Sequence, residues 1–118
     1  MGGVIVLGAE ALAPGLVVHH GFGRLTVPAG DHTRVLADLF GDAVVVEGVD
    51  DFRTAAWRKL LSNAIANPVT ALTGRRNDVL AEPATRGLVV ALAREVVAVG
   101  RSVGAALTDA DVDALVAH

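Results

Sequence analysis

The sequence predicts an α/β remnant, a few strands plus one helix, through Glu47, followed by an all-α helical domain from Asp50 onward. Three observations carry that expectation. Short runs rich in Val, Ile, Leu and Thr are separated by Gly- and Pro-containing turns in the first part of the chain. Beyond Asp50 the apolar residues recur every three or four positions, as on a helix face. The helical stretches also carry local start and stop residues, among them Glu82-Pro83 and Thr108–Asp111.

Met1–Leu7 reads as a short buried strand. Gly2, Gly3 and Gly8 superficially resemble a dinucleotide loop, but they lack the strand, G-x-G-x-x-G and helix order that sets a pyrophosphate on a helix N-terminus. Glu10–Leu12 leads to a Pro14-Gly15 turn. Leu16–Gly21 and Arg24–Pro28 form two β runs with Phe22-Gly23 as a hairpin between them. Asp31–Phe40 has Val35, Leu36, Leu39 and Phe40 at helical spacing, with Asp31 as N-cap and Gly41 as stop. Ala43–Glu47 is a further strand.

Gly48–Phe52 is a hinge-like connection in which Asp50 or Asp51 caps the helix Ala55–Thr73. A polar loop, Arg75-Arg76-Asn77-Asp78, follows Thr73-Gly74 and reads as a solvated turn. Pro83 opens the next helix from its first turn. Leu88, Leu92, Val96, Val99 and Val103 give that helix its apolar face through about Ala106. Thr108–Asp111 resembles a capping box, so a last helix is expected from there to His118.

Composition removes several function classes. The chain has 118 residues, 10 basic against 13 acidic, a net charge of −3 and only 3% aromatics. It lacks the basic run that neutralises phosphates and the aromatics that stack bases, so nucleic acid is not an expected partner. Without cysteine there is no disulfide or thiol chemistry, which fits a reducing, cytoplasmic setting. No apolar run approaches the roughly 20 residues a bilayer-spanning helix needs, and no basic signal-peptide start is present, so no membrane partner is expected. His19 and His20 are adjacent in a strand and point to opposite faces, while His32 and His118 belong to other elements. No metal site is expected from them. Hydrophobic residues make up 53%, and mean hydropathy is +0.53, above the usual apolar share of roughly 45–50%. Either the domain is unusually rich in Ala and Val, or its faces are meant to be covered by something else.

The organising stretch is Ala55–Thr73. Lys59, Asn63 and Asn67 sit four apart and Thr70 three further on. At about 100° per residue, each four-step turns the direction by only about 40°, so the four share one stripe roughly 16 Å long. Apolar residues surround it: Trp57, Leu60, Leu61, Ala64, Ile65, Ala66, Val69, Leu72. Asn is a poor helix former and a solvent stripe is more often Glu, Lys or Arg. Pro68 cannot donate to the Ala64 carbonyl, so a kink or loosening is expected there. An amphipathic helix with its stripe in water remains the plain alternative to a ligand site.

Trp57-Arg58-Lys59-Leu60, Asn63 and Asn67-Pro68-Val69-Thr70-Ala71-Leu72 together resemble the W-(R/K)-K-L-x-x-N-x-x-x-N-P-(L/V)-T-A-(L/I) signature of ketopantoate reductases, the 2-dehydropantoate 2-reductases. The resemblance covers essentially the whole chain but only the middle of a family member. It implies that residues 1–48 are the end of a Rossmann-type cofactor domain. Residues 49–118 would then begin a helical substrate domain, part of a 6-phosphogluconate-dehydrogenase-like C-terminal domain. It further implies Lys59 as general acid, Asn63, Asn67 and Asn77 as substrate ligands, Ala11 as a place where backbone nears the cofactor, and NADPH as hydride donor. The implied reaction is reduction of ketopantoate to pantoate, in pantothenate and coenzyme A synthesis.

The residue chemistry agrees with that implication. A positioned ammonium can stabilise a developing alkoxide and then protonate it, and carboxamides can grip the hydroxyl and carboxylate of a short acid. The family's G-x-G-x-x-G unit and its S-S-M-x-Q-D segment are absent, so these 118 residues are not expected to turn over alone. Two alternatives stay open: a paralogue acting on another 2-keto acid, and a non-catalytic helical association module. Uncovered apolar faces also point to homo-oligomers or domain swapping.

Overall fold

The computed structural model describes residues 2–116. In chain order it contains β1 (Val4–Ala13), β2 (Leu16–Pro28), α1 (Asp31–Phe40), β3 (Val44–Val49), α2 (Phe52–Thr73), α3 (Pro83–Ser102) and α4 (Asp109–Val116). Turns of 3-10 helix occupy Gly41–Ala43 and Asn77–Ala81. Strands and one helix followed by helices is the class the sequence predicts. Met1, where the first strand was expected to begin, and His118 lie outside the described residues. Two compact units divide the chain, Met1–Ala55 and Ala56–His118.

In the first unit the sheet order is β1-β2-β3. β1 pairs with β2 antiparallel, and β3 with β2 parallel, so α1 is the crossover that parallel pairing requires. The hairpin turn is Pro14-Gly15, where Gly15 takes φ 79, a conformation open to glycine at the third position of such a turn. Phe22-Gly23 is not a turn, contrary to the sequence expectation. Val6 faces Arg24 while Gly8 faces His20, so β2 carries extra residues there and bulges within one 13-residue strand. Gly23 is needed for closeness rather than for turning: a Cβ there would sit 2.8 Å from Leu7 Cδ1 and 3.1 Å from Val44 Cγ2. Val27 is the buried centre of this unit. The N-cap of α1 is Gly30, not Asp31, and it makes no side-chain cap bond. Instead the His32 ring nitrogen Nε2 donates to the Pro28 carbonyl at 2.7 Å.

The entry to α2 is fixed by Asp51, not Asp50. Its carboxylate accepts the Thr54 backbone N–H at 3.0 Å and the Thr54 hydroxyl at 2.6 Å, the geometry of an N-cap reaching the third helical residue. The helix then runs unbroken through Pro68. In the second unit α2 contributes Leu61, Ile65 and Val69 to the buried interior, and α3 contributes Val89, Ala93 and Val97. Val79, Ala105, Leu107 and Val112 complete it.

The buried edge of α3 is therefore one position on from the expected face. Leu88, Val99 and Val103 are exposed, while Leu92 and Val96 flank the core. Small residues decide this. At Gly100 a Cβ would stand 2.7 Å from Leu107 Cδ1 and 3.0 Å from Trp57 Cε3, so the helix presents its Ala93 and Gly100 side to its neighbours. At the start of α4 one arm of the expected capping box is present, the Thr108 N–H donating to Asp111 Oδ2 at 2.7 Å, while the Asp111 N–H donates to the Thr108 backbone carbonyl at 3.1 Å rather than to its hydroxyl.

Candidate active site

On α2, Leu61, Ile65 and Val69 are buried. Lys59, Asn63 and Asn67 are each displaced from them by two residues, or about 200° around the axis. The polar stripe accordingly lies on the side of α2 opposite its buried edge. Lys59 and Asn63 are half-buried and Asn67 is exposed. Among the described residues none makes a hydrogen bond or ion pair to these three side chains, whose partners are left open. The stripe is thus unsealed, neither a buried polar network nor a row of paired surface charges.

The two residues before Lys59 are committed elsewhere. The Trp57 ring packs against Gly100. The Arg58 Nε–H donates to Asp111 Oδ1 at 2.8 Å, tying α2 to α4. Burial works to raise the Asp111 pKa, but the Thr108 N–H, the Arg58 guanidinium and the Thr108 hydroxyl together outweigh it and hold the carboxyl below the usual aspartate range. These two anchors fix the rotation of the first turns of α2, and with it the direction in which Lys59 points. No spacing rule foretells the Arg58–Asp111 pair, because its members lie in different elements 53 residues apart.

At the far end of the stripe Thr70 hydroxyl donates to the Ala66 carbonyl at 2.7 Å. Thr73 does likewise to the Val69 carbonyl at 2.7 Å, so both hydroxyls are turned back onto the backbone around Pro68. Gly74, at φ 65, then turns the chain out of the helix. The loop beyond it and Thr70 border an open groove of about 910 Å³, lined by Thr70, Gly74, Arg75, Arg76, Asn77 and Asp78. Asn77 is exposed there. Thr70 is the one member of the stripe that reaches this groove. Ala11 belongs to the other unit, exposed on β1 and paired with Val17 of β2.

The described residues offer no cradle for a dinucleotide's phosphates. Gly8 is occupied by strand pairing: a Cβ there would meet the His20 carbonyl oxygen at 2.8 Å. Nor do they gather three or more metal-ligating side chains. His20 Nε2 instead faces Glu10 Oε2 at 3.4 Å on the exposed side of the β1–β2 pair. No helix among the described residues is long and apolar enough to cross a membrane.

This arrangement of an α/β unit followed by helices is shared with a solved oxidoreductase. The 2-dehydropantoate 2-reductase of Geobacter metallireducens superimposes with a TM-score of 0.82 at 32% identity, over 98% of this chain and 41% of that one. The family model "Ketopantoate reductase PanE/ApbA C terminal" matches residues 51–118. The chain belongs to the ketopantoate reductase family. Among curated relatives it is 37% identical over 114 residues to the 2-dehydropantoate 2-reductase of Mycobacterium tuberculosis, covering 96% of this chain and 38% of that protein. It is 36% identical over 107 residues to that of Caulobacter vibrioides, covering 90% of this chain and 37% of that protein. The chain thus spans less than two-fifths of the length of these relatives.

Proposed function

We propose that this chain supplies the proton donor and the acid-gripping side chains for NADPH-dependent reduction of 2-dehydropantoate to pantoate. The observation that carries the reading is the unsealed Lys59, Asn63 and Asn67 stripe on the side of α2 away from its buried edge, within a segment of this family. Residues 1–48 would close the cofactor domain and residues 49–118 open the substrate domain.

In the proposed chemistry, reduction leaves negative charge on the former carbonyl oxygen. The Lys59 ammonium hydrogen-bonds that oxygen, stabilises the charge and passes it a proton. Asn63 and Asn67 each present an N–H donor and a carbonyl acceptor, matching a hydroxyl and a carboxylate on one short acid. Asn77 would add a further amide from the loop after α2. Ala11 would lie where backbone approaches the nicotinamide cofactor, whose phosphates must be held by residues other than those described.

The test is a chimera in which this chain replaces the matching segment of the Caulobacter vibrioides relative. With NADPH and 2-dehydropantoate the chimera is expected to oxidise cofactor, while the 118-residue chain alone is expected to show no turnover. A correctly folded chimera that is inactive on 2-dehydropantoate but turns over another 2-keto acid would move the reading to a paralogue. Ordinary activity from the chain alone would overturn the division of labour proposed here.

A further inference from the structure

Lys59 is the only lysine in the sequence. Among the described residues no side chain holds its ammonium, so the place of that group is decided by the helix that carries it. α2 enters the second unit at Ala56, and its first buried apolar residue is Leu61. Between those points the described fastenings are the Trp57 ring over Gly100 and the Arg58 guanidinium on Asp111. An apolar contact tolerates sliding, whereas a hydrogen-bonded ion pair has a direction.

The two oxygens of Asp111 divide the work. Oδ2 accepts the Thr108 N–H at 2.7 Å and the Thr108 hydroxyl at 3.1 Å, closing the start of α4. Oδ1 accepts the Arg58 Nε–H at 2.8 Å, across on α2. The Asp111 side chain is only 14% exposed, so water competes little for it. The neighbouring pair of Arg101 with Asp109 at 3.1 Å is a contrast, because Asp109 is 90% exposed and Arg101 belongs to α3. Side chains on a helix reach about 5–6 Å from its axis, so a rotation of about 20° displaces their ends by about 2 Å. A misplacement of about 1 Å is enough to cost about 10²-fold in rate.

We propose that Asp111 is a positioning residue for Lys59: by holding Arg58 it sets the rotation of the first turns of α2, and so where the ammonium meets the keto oxygen of a substrate. The keto oxygen rests on the function proposed above, whereas the latch itself stands on the contacts between α4 and α2. Asn63 and Asn67 lie further along α2, where Leu61, Ile65 and Val69 seat the helix in the core. Loss of the latch therefore acts on kcat and spares the grip on the acid.

In the chimera, Asp111→Asn is expected to lower kcat about tenfold and to leave KM for 2-dehydropantoate within about threefold. Arg58→Gln should do the same, and Arg58→Lys should recover part of the rate. Asp111→Asn combined with Arg58→Gln should cost no more than either alone. Arg101→Gln, which removes the tie to α3, is the control and should leave kcat unchanged. The ¹³C-labelled 118-residue chain supplies a readout free of catalysis, since its one lysine gives a single Cε–Hε resonance. That signal is expected to move in Asp111→Asn and in Arg58→Gln, and to stay in place in Arg101→Gln. Where Lys59→Ala slows the chimera, a kcat that ignores Asp111→Asn, or that falls as far in Arg101→Gln, would overturn the assignment. So would a Lys59 signal that stays in place in Asp111→Asn. If the signal moves while the chimera's rate ignores Lys59→Ala, the latch stands and the function proposed above falls.

Discussion

Trp57, Arg58 and Lys59 are consecutive and do three different things. The ring fills the space over Gly100, the guanidinium holds Asp111, and the ammonium is left without a partner among the described residues. If Lys59 is the general acid, Lys59→Ala in the active chimera should depress kcat by about 10²-fold or more, read from NADPH oxidation. A rate near that of the unsubstituted chimera would remove it from the chemistry. The shared face of Lys59, Asn63 and Asn67 was legible in the sequence, because helical arithmetic alone puts residues four apart on one side. The ion pairs that Arg75, and not its neighbour Arg76, makes with Asp78 at 3.0 Å and Glu82 at 2.7 Å were not. Which of two adjacent arginines is consumed depends on where Asp78 and Glu82 come to rest after the turn, and no spacing rule encodes that.

The helices are largely readable from their ends. Asp51, Pro83 and the Thr108/Asp111 pair act within one turn of themselves, so the sequence shows them directly. The buried face of α3 lies one residue on from the row of large apolar side chains that predicts it, because Ala93 and Gly100 add no bulk to the pattern. Gly100→Ala tests the correction. Helix propensity alone would favour alanine by about 1 kcal/mol, whereas overpacking costs about 1–3 kcal/mol. Leu107 is itself buried and Trp57 is a rigid ring, so neither yields easily. Net destabilisation of about 1 kcal/mol is expected by chemical denaturation, and a gain in stability would show that the interhelical approach is looser than described.

Asp111 offers a second test at this scale, with its own pH signature. Loss of its cap and its pair through Asp111→Asn should cost about 1–2 kcal/mol near neutral pH. Its folded pKa is depressed below the ordinary 3.8. The stabilisation it supplies is therefore present above that value and lost as pH falls through the depressed one. The stability difference between the two proteins should accordingly shrink on acidification below about pH 4. A difference that is flat from pH 7 to pH 2 would assign the effect to something other than this carboxylate.

At the scale of the molecule, the first unit is the less self-sufficient part of the chain. α1 has no buried residue, and Ile5, Val6, Val17, Phe22 and Val45 of the sheet are more than half or about half exposed, Phe22 at 91%. The high hydropathy noted in the sequence is spent here on uncovered surface as well as on a core. The order and pairing of the strands could not have been read in advance. The Gly21–Gly23 bulge imitates a turn in one dimension, and only β1 and β3 pressing on Gly23 from either side distinguish the two.

β1 lies at one end of the sheet order, ten residues long, with Glu10 its single charge. Along its outer border the main chain has no partner strand among the described residues, and little electrostatic repulsion guards it. Concentrated solutions should therefore drift toward intermolecular β-sheet, visible as rising thioflavin fluorescence, and Val6→Lys should slow that drift severalfold. A strand whose amides can recruit a stranger is a template, and purification of this polypeptide would be a race between orderly folding and filament growth.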